Sequence, residues 1–104
     1  LEEHIRSAQM VITAEGRLDE QTAYGKTVGA VAQMASRYHI PVLAVAGGLG
    51  GQYRVAYDLG VAAVIVLPWG PLSLEYAMQH AAELTSDATE RAFRLLQLNM
   101  PINQ

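Results

Sequence analysis

The 104-residue chain contains no cysteine. That excludes a disulfide framework, a thiolate nucleophile and any metal site built on sulfur. Charge is scarce as well: 16% of the residues are charged, against roughly 25% in an average soluble domain. Lys26 is the only lysine, and seven basic residues face ten acidic ones for a net charge of −3. A general nucleic-acid binder needs a basic surface, so no nucleic-acid partner is expected. No apolar run approaches the roughly 18 residues of a membrane span, so no membrane partner is expected either. The first residues lack the basic, apolar, then small order of a signal peptide, and the expected location is cytoplasmic. The chain opens at Leu1 on Leu1-Glu2-Glu3-His4-Ile5-Arg6, which reads as the inside of a helix. It is therefore expected to be a piece of a longer protein.

What is abundant is hydrophobic side chain, 51% of the residues, much of it alanine. Disorder needs the opposite balance of low hydrophobicity and high charge. The length suits one domain, and small apolar residues suit helices held close against a sheet. The order of elements alternates. Residues 1–8 suit the end of a helix, and Met10 to Thr13 form a short apolar strand. Residues 14–25 read as a loop. Val28, Val31, Ala32 and Ala35 repeat at helical spacing and predict a helix over about residues 27–38. Pro41 bars further helix, and Val42 to Ala46 is a continuous apolar run. Gly47, Gly48, Gly50 and Gly51 crowd the next loop. Residues 52–59 suit a short helix capped by a left-handed Gly60. Val61 to Leu67 is a third strand, and Pro68-Trp69-Gly70-Pro71 a rigid turn. Ser73 can N-cap a long helix with Glu75 in its first turn. The Asp87 and Glu90 spacing marks Thr85-Ser86-Asp87 as a point of interruption. Asn99 to Gln104 read as a tail.

Strands apolar on both faces, joined through helices, imply α/β architecture: an open parallel sheet of about three strands with helices on both faces. Ligands in such sheets bind beyond the carboxyl ends of the strands. That rule singles out three loops, residues 14–25, 47–51 and 68–73.

The first loop, Ala14 to Thr22, carries Glu15, Arg17, Asp19 and Gly16 directly after a strand. Glu15 and Asp19 can hold a hard cation through oxygen, and Arg17 can grip a carboxylate or phosphate with its planar fork. The plain alternative is a solvated loop with a local Arg–Asp pair of little worth. Tyr24-Gly25-Lys26-Thr27 invites comparison with a P-loop, but position 20 is Glu where that motif needs Gly. Lys26 still sits at a helix start, where free N–H groups attract anions; the alternative is a lysine facing water. The glycine loop allows close approach of a ligand or of another backbone. It is not a dinucleotide fingerprint, because Tyr53 stands where the third Gly belongs. Trp69 can stack on a base or cover an interface, and packing within the protein is the simpler role. His4, His39 and His80 lack metal-ligand spacing and read as structural or surface residues.

Val11-Ile12-Thr13-Ala14-Glu15-Gly16-Arg17-Leu18-Asp19-Glu20-Gln21-Thr22-Ala23-Tyr24-Gly25-Lys26-Thr27 resembles the strand-loop-helix signature of the bacterial glycerate kinase family. Ile40 to Gly48, Tyr57 to Val64 and Gly70 to Glu75 resemble its next strand and turn, its third strand and its loop into the C-terminal helix. Ala14 stands in place of the family's Gly, and Trp69 in place of its Pro. The resemblance spans nearly the whole chain but only the C-terminal portion of a two-domain protein of several hundred residues. It implies half of a Rossmann-like domain, the active site lying in the cleft between domains. It implies ATP-dependent phosphorylation of D-glycerate with Mg²⁺, and the missing N-terminal part of the same protein as partner. The segment alone is then expected to be inactive.

On that resemblance, Arg17 and Lys26 are expected to bind anions, and Glu15 and Asp19 to contact a metal or the acceptor hydroxyl. Gly16, Gln21, Gly25, Gly47 and Gly48 are expected to bind substrate or nucleotide. The alternative is a non-catalytic module that binds small anions or regulates. A sheet cut from its neighbours leaves open edges, so a homo-oligomer through such an edge is a further expectation.

Overall fold

The computed structural model describes residues 2–25, 27–68 and 70–98. The elements run α1 (Glu2–Ser7), β1 (Val11–Glu15), α2 (Glu20–Ala23), α3 (Val28–Arg37), β2 (Val42–Ala46), α4 (Val55–Asp58), β3 (Val61–Val66), α5 (Leu74–Gln79) and α6 (Ala81–Leu96). The three strands form one parallel sheet in the order β1-β2-β3. Among the described residues no helix is long and apolar enough to cross a membrane.

The central strand explains the architecture. All five residues of β2 are buried, and its side chains alternate between two cores. Val42, Ala44 and Ala46 pack with Ile5 of α1, Val28, Ala32 and Ala35 of α3, and Ala56 of α4. Leu43 and Val45 pack on the other face with Ala88 and Ala92 of α6. A period of two on the strand meets a period of 3.6 on each helix. Both faces are therefore covered, as the apolar run of β2 requires. The many buried alanines let α3 and α6 lie close to the sheet. The outer strands are less covered: Ile12 is 41% exposed, and Ala62 and Ala63 are also exposed.

Three expectations need correction. β1 is shifted toward Glu15 relative to the expected strand, because Gly47 N–H bonds the Glu15 carbonyl at 3.0 Å and prolongs pairing. Residues 14–25 are not a plain loop; they contain a β-bridge between Leu18 and Leu49 and the single turn α2. The C-terminal helix breaks at His80, not at residues 85–87. There the backbone leaves helical geometry (φ −117°, ψ 26°), and the imidazole stacks on Tyr76 at 3.9 Å between ring centroids. His80 Nδ1 lies 2.9 Å from the Tyr76 carbonyl, so a side chain competes for the helix's own acceptor. Asp87 instead accepts from Arg91 Nε at 2.9 Å within α6, and Thr85 bonds back to Ala81. Ser73 does cap α5, its hydroxyl accepting from Tyr76 N–H at 3.1 Å. Lys26, Trp69 and the expected tail from Asn99 to Gln104 lie outside the described residues.

Candidate functional site

The loops after β1 and β2 dock on one another beyond the carboxyl edge of the sheet. Leu18 N–H donates to the Gly48 carbonyl at 2.9 Å, and Gly50 N–H donates to the Leu18 carbonyl at 3.0 Å. The parallel ladder thus runs past the strands themselves. Leu18 is completely buried and anchors the first loop in the core. Its two sequence neighbours, Arg17 and Asp19, are held at the surface on either side of that anchor.

Asp19 caps α2. Its Oδ1 accepts from Gln21 N–H at 2.9 Å and Thr22 N–H at 3.0 Å, while Asp19 N–H donates to Thr22 Oγ1 at 2.8 Å. This is a reciprocal capping box with Thr in place of the usual Glu. Asp19 Oδ2 lies 3.4 Å from Arg17 Nε, and Arg17 is 64% exposed. The Thr22 amide first, with the Gln21 amide, the Thr22 hydroxyl and Arg17, holds the Asp19 carboxyl below its ordinary value of 3.8; desolvation opposes them. A carboxyl depressed in the fold stabilises it above the unfolded value and loses that contribution as pH falls through the folded one. The loop is therefore expected to hold its shape from neutral pH down to about 4 and to loosen below that. Amide chemical shifts of Gln21 and Thr22 followed through an acid titration check this. Asp19→Asn should abolish the acid transition, and a transition that persists in the variant would refute the assignment.

Two side chains of the first loop clasp the glycine loop. The Arg17 guanidinium lies where a side chain on Gly50 would sit. Glu20 Oε2 accepts from Gln52 N–H at 2.8 Å and lies against Gly51, whose φ of 48° favours glycine. Gly47 is needed for another reason: a Cβ there would lie 2.5 Å from the Gly16 carbonyl oxygen. Gly16 and Gly48, by contrast, leave open space. Gly47→Ala should force the two loops apart and cost about 1–3 kcal/mol, as overpacking does. Gly48→Ala should leave stability nearly unchanged. Urea midpoints of the two variants compare them directly, and equal midpoints would refute the close-packing account.

A cleft of about 670 Å³ opens at this edge. Gly16, Arg17, Gly47 and Gly48 form one side of it. Leu67 and Pro68 after β3, Leu74, Ala77 and Met78 of α5, and Ala81 and Leu84 of α6 form the other. The structure thus brings four of the sequence-derived candidates together. Asp19, Gln21 and Gly25 are not among the described lining residues, nor is Glu15. The first three shape the loop behind the cleft: Asp19 and Gln21 as cap and first turn of α2, Gly25 in the turn that follows, its N–H bonded to the Thr22 carbonyl at 3.1 Å. Glu15 ends β1 and carries no side-chain hydrogen bond or ion pair among the described residues. Lys26 lies outside the described residues. Glu20 was not among the candidates. Its partner is 32 residues away in sequence, and no local pattern marks it.

The donor set bears on a metal. Among the described residues no three His, Cys, Asp or Glu side chains gather as a cation site. Asp19 Oδ1 accepts two amide hydrogen bonds and Oδ2 pairs with Arg17, so of the two candidate carboxylates Glu15 is the one without a partner among the described residues. A dedicated protein cage for a resident ion does not fit these residues. A magnesium ion that arrives on phosphates and takes one protein carboxylate does.

Bare backbone beyond the carboxyl ends of parallel strands makes this an open-sheet α/β unit with its cleft where such folds take ligands. Comparison with known proteins narrows the class. The model of the glycerate kinase family matches residues 1–97, and the chain belongs to that family. It is 43% identical over 82 residues to a glycerate kinase of Bacillus cereus, covering 79% of this chain and 22% of that protein. It is 43% identical over 86 residues to a glycerate kinase of Halalkalibacterium halodurans, covering 83% and 23%. To the glycerate 2-kinase of Escherichia coli it is 35% identical over 100 residues, covering 96% and 26%. The chain therefore spans about a quarter of the length of these relatives.

Proposed function

We propose that the chain is the C-terminal portion of a longer cytoplasmic kinase that transfers the terminal phosphoryl group of ATP to D-glycerate. The observation that carries this reading is the family match over nearly the whole chain, joined to a cleft floored by Gly16, Gly47, Gly48 and Arg17. In the reaction a hydroxyl oxygen of glycerate attacks the terminal phosphorus. The bond from that phosphorus to the bridging oxygen breaks, ADP leaves, and the hydroxyl proton is released. Donor and acceptor are both anions, so catalysis is mostly positioning and charge stabilisation.

This chain's residues supply part of that. The open backbone at Gly16 and Gly48 lets phosphate approach the main chain closely. Arg17, steadied by Asp19 and the glycine loop, offers a planar fork to phosphate or to the glycerate carboxylate. Glu15 would be the carboxylate that holds a nucleotide-borne magnesium ion, and the ion would neutralise phosphate charge. Asp19 steadies Arg17 through its Oδ2, and its carboxylate would be a second oxygen donor to such an ion. The sequence resemblance adds Lys26 as a second anion-binding cation.

The resemblance implies an active site between two domains, and this chain spans about a quarter of its relatives' length. The segment alone is therefore expected to be inactive, its partner being the upstream part of the same polypeptide. The open edges at β1 and β3 would pair with further strands of that polypeptide, or with a second copy in the isolated segment. An assay with ATP, magnesium and D-glycerate, run on the full-length protein and on this segment, tests the proposal. Turnover by the former alone supports it. No turnover by the full-length protein would leave a non-catalytic anion-binding module.

A further inference from the structure

The cleft has two chemically unlike sides. One is backbone and positive charge: Gly16, Gly47, Gly48 and Arg17. The other is hydrocarbon: Leu67 and Pro68 beyond β3, and Leu74, Ala77 and Met78 from α5. Helix α5 buries none of its residues, and Leu74 and Met78 are 76% and 71% exposed. It presents apolar side chains to the cleft without using them in the core. D-Glycerate has no use for such a surface, since each of its three carbons bears oxygen. A nucleoside triphosphate matches both sides at once, being anionic at one end and a flat ring with apolar faces at the other. The cleft volume of about 670 Å³ lies in the range of small-molecule sites.

We propose that the α5 side of the cleft is the subsite for the nucleotide base, and that the described residues there hold the base by contact without side-chain hydrogen bonds. The inference rests on the phosphoryl-transfer reading above and deepens it. Its second half has separate support. Leu67, Pro68, Leu74, Ala77 and Met78 carry no hydrogen-bonding side chain. The backbone acceptors where β3 enters this side are engaged elsewhere: Arg91 Nη2 donates to the Val66 carbonyl at 3.2 Å and to the Leu67 carbonyl at 2.8 Å. A site that reads a ligand through hydrogen bonds rejects the wrong one by about 10⁴-fold or more, whereas an apolar pocket separates near-isosteres by only about 10–200-fold. Adenine and guanine nucleotides should therefore both serve as donors.

The test is steady-state kinetics of the full-length protein, wild type beside the double variant Leu74→Ser, Met78→Ser. Both positions are largely exposed in this segment, so the change spares its own core, and it adds no charge that would repel phosphate. The expected result is a KM for ATP raised about tenfold or more, with the KM for D-glycerate unchanged. GTP should support turnover with kcat/KM within about two-hundredfold of ATP. An unchanged KM for ATP, or a change confined to glycerate, overturns the subsite. A stronger preference for ATP overturns recognition without hydrogen bonds. If the wild type does not phosphorylate glycerate, the kinase reading fails by itself. The subsite is then tested by titration with trinitrophenyl-ATP. Binding lost in the double variant sustains it. Equal binding in both proteins, or none in the wild type, overturns it.

Discussion

Leu18→Ala should cost about 2–5 kcal/mol of stability, the largest loss expected of any single change in the first loop. The side chain is completely buried, so its removal leaves a cavity that the surrounding β-bridge cannot readily collapse. The same residue donates to Gly48 and accepts from Gly50, so its anchor holds the glycine loop as well as its own. Loss of the anchor should therefore weaken ligand binding along with the fold. Leu18→Met keeps the volume and should cost less than about 1.5 kcal/mol. Urea unfolding of the two variants separates them. Similar losses in both would mean that shape rather than volume at residue 18 holds the loop.

Arg17→Ala should lower kcat/KM for glycerate phosphorylation tenfold or more in the full-length protein while leaving stability almost untouched. The two readouts differ for a physical reason. Its pair with Asp19 is solvent-exposed on the arginine side, and exposed pairs contribute little to folding. Charge-assisted hydrogen bonds to phosphate or carboxylate inside a closed cleft are much stronger. A tenfold loss corresponds to about 1.4 kcal/mol of transition-state stabilisation, a modest demand on one guanidinium. Arg17→Lys keeps the charge but loses the fork, and should recover only part of the activity. Unchanged kinetics in Arg17→Ala would remove the residue from the site.

Much of this fold was legible because several signals agreed at the same positions. Val42 to Ala46 is bounded by Pro41 and Gly47, and the strand has those bounds. The spacing of Val28, Val31, Ala32 and Ala35 marks α3, and Gly60, with φ of 112°, ends the segment after α4 as expected. The loop rule placed Gly16, Arg17, Gly47 and Gly48 on one cleft. What escaped depends on partners distant in sequence or on rivalry within one turn. The clasp of Glu20 on Gln52 needs both loops in place before it exists. The break at His80 comes from its ring and backbone against Tyr76, which no periodic pattern records. The Asp19–Thr22 cap has capping-box spacing, but Thr22 stands where the motif ordinarily has Glu or Gln.

The ladder that continues beyond β1 and β2 has a thermodynamic consequence. A glycine-rich loop left to itself samples many conformations, and a ligand that froze it would lose affinity to that ordering. Here the bonds among Glu15, Gly47, Leu18, Gly48 and Gly50 are made before any ligand arrives. The entropy of ordering is spent during folding, so the binding step keeps more of its favourable energy. Association at this floor should then resemble docking onto a finished surface, and the adjustment on ligation should fall to α5, which buries none of its residues.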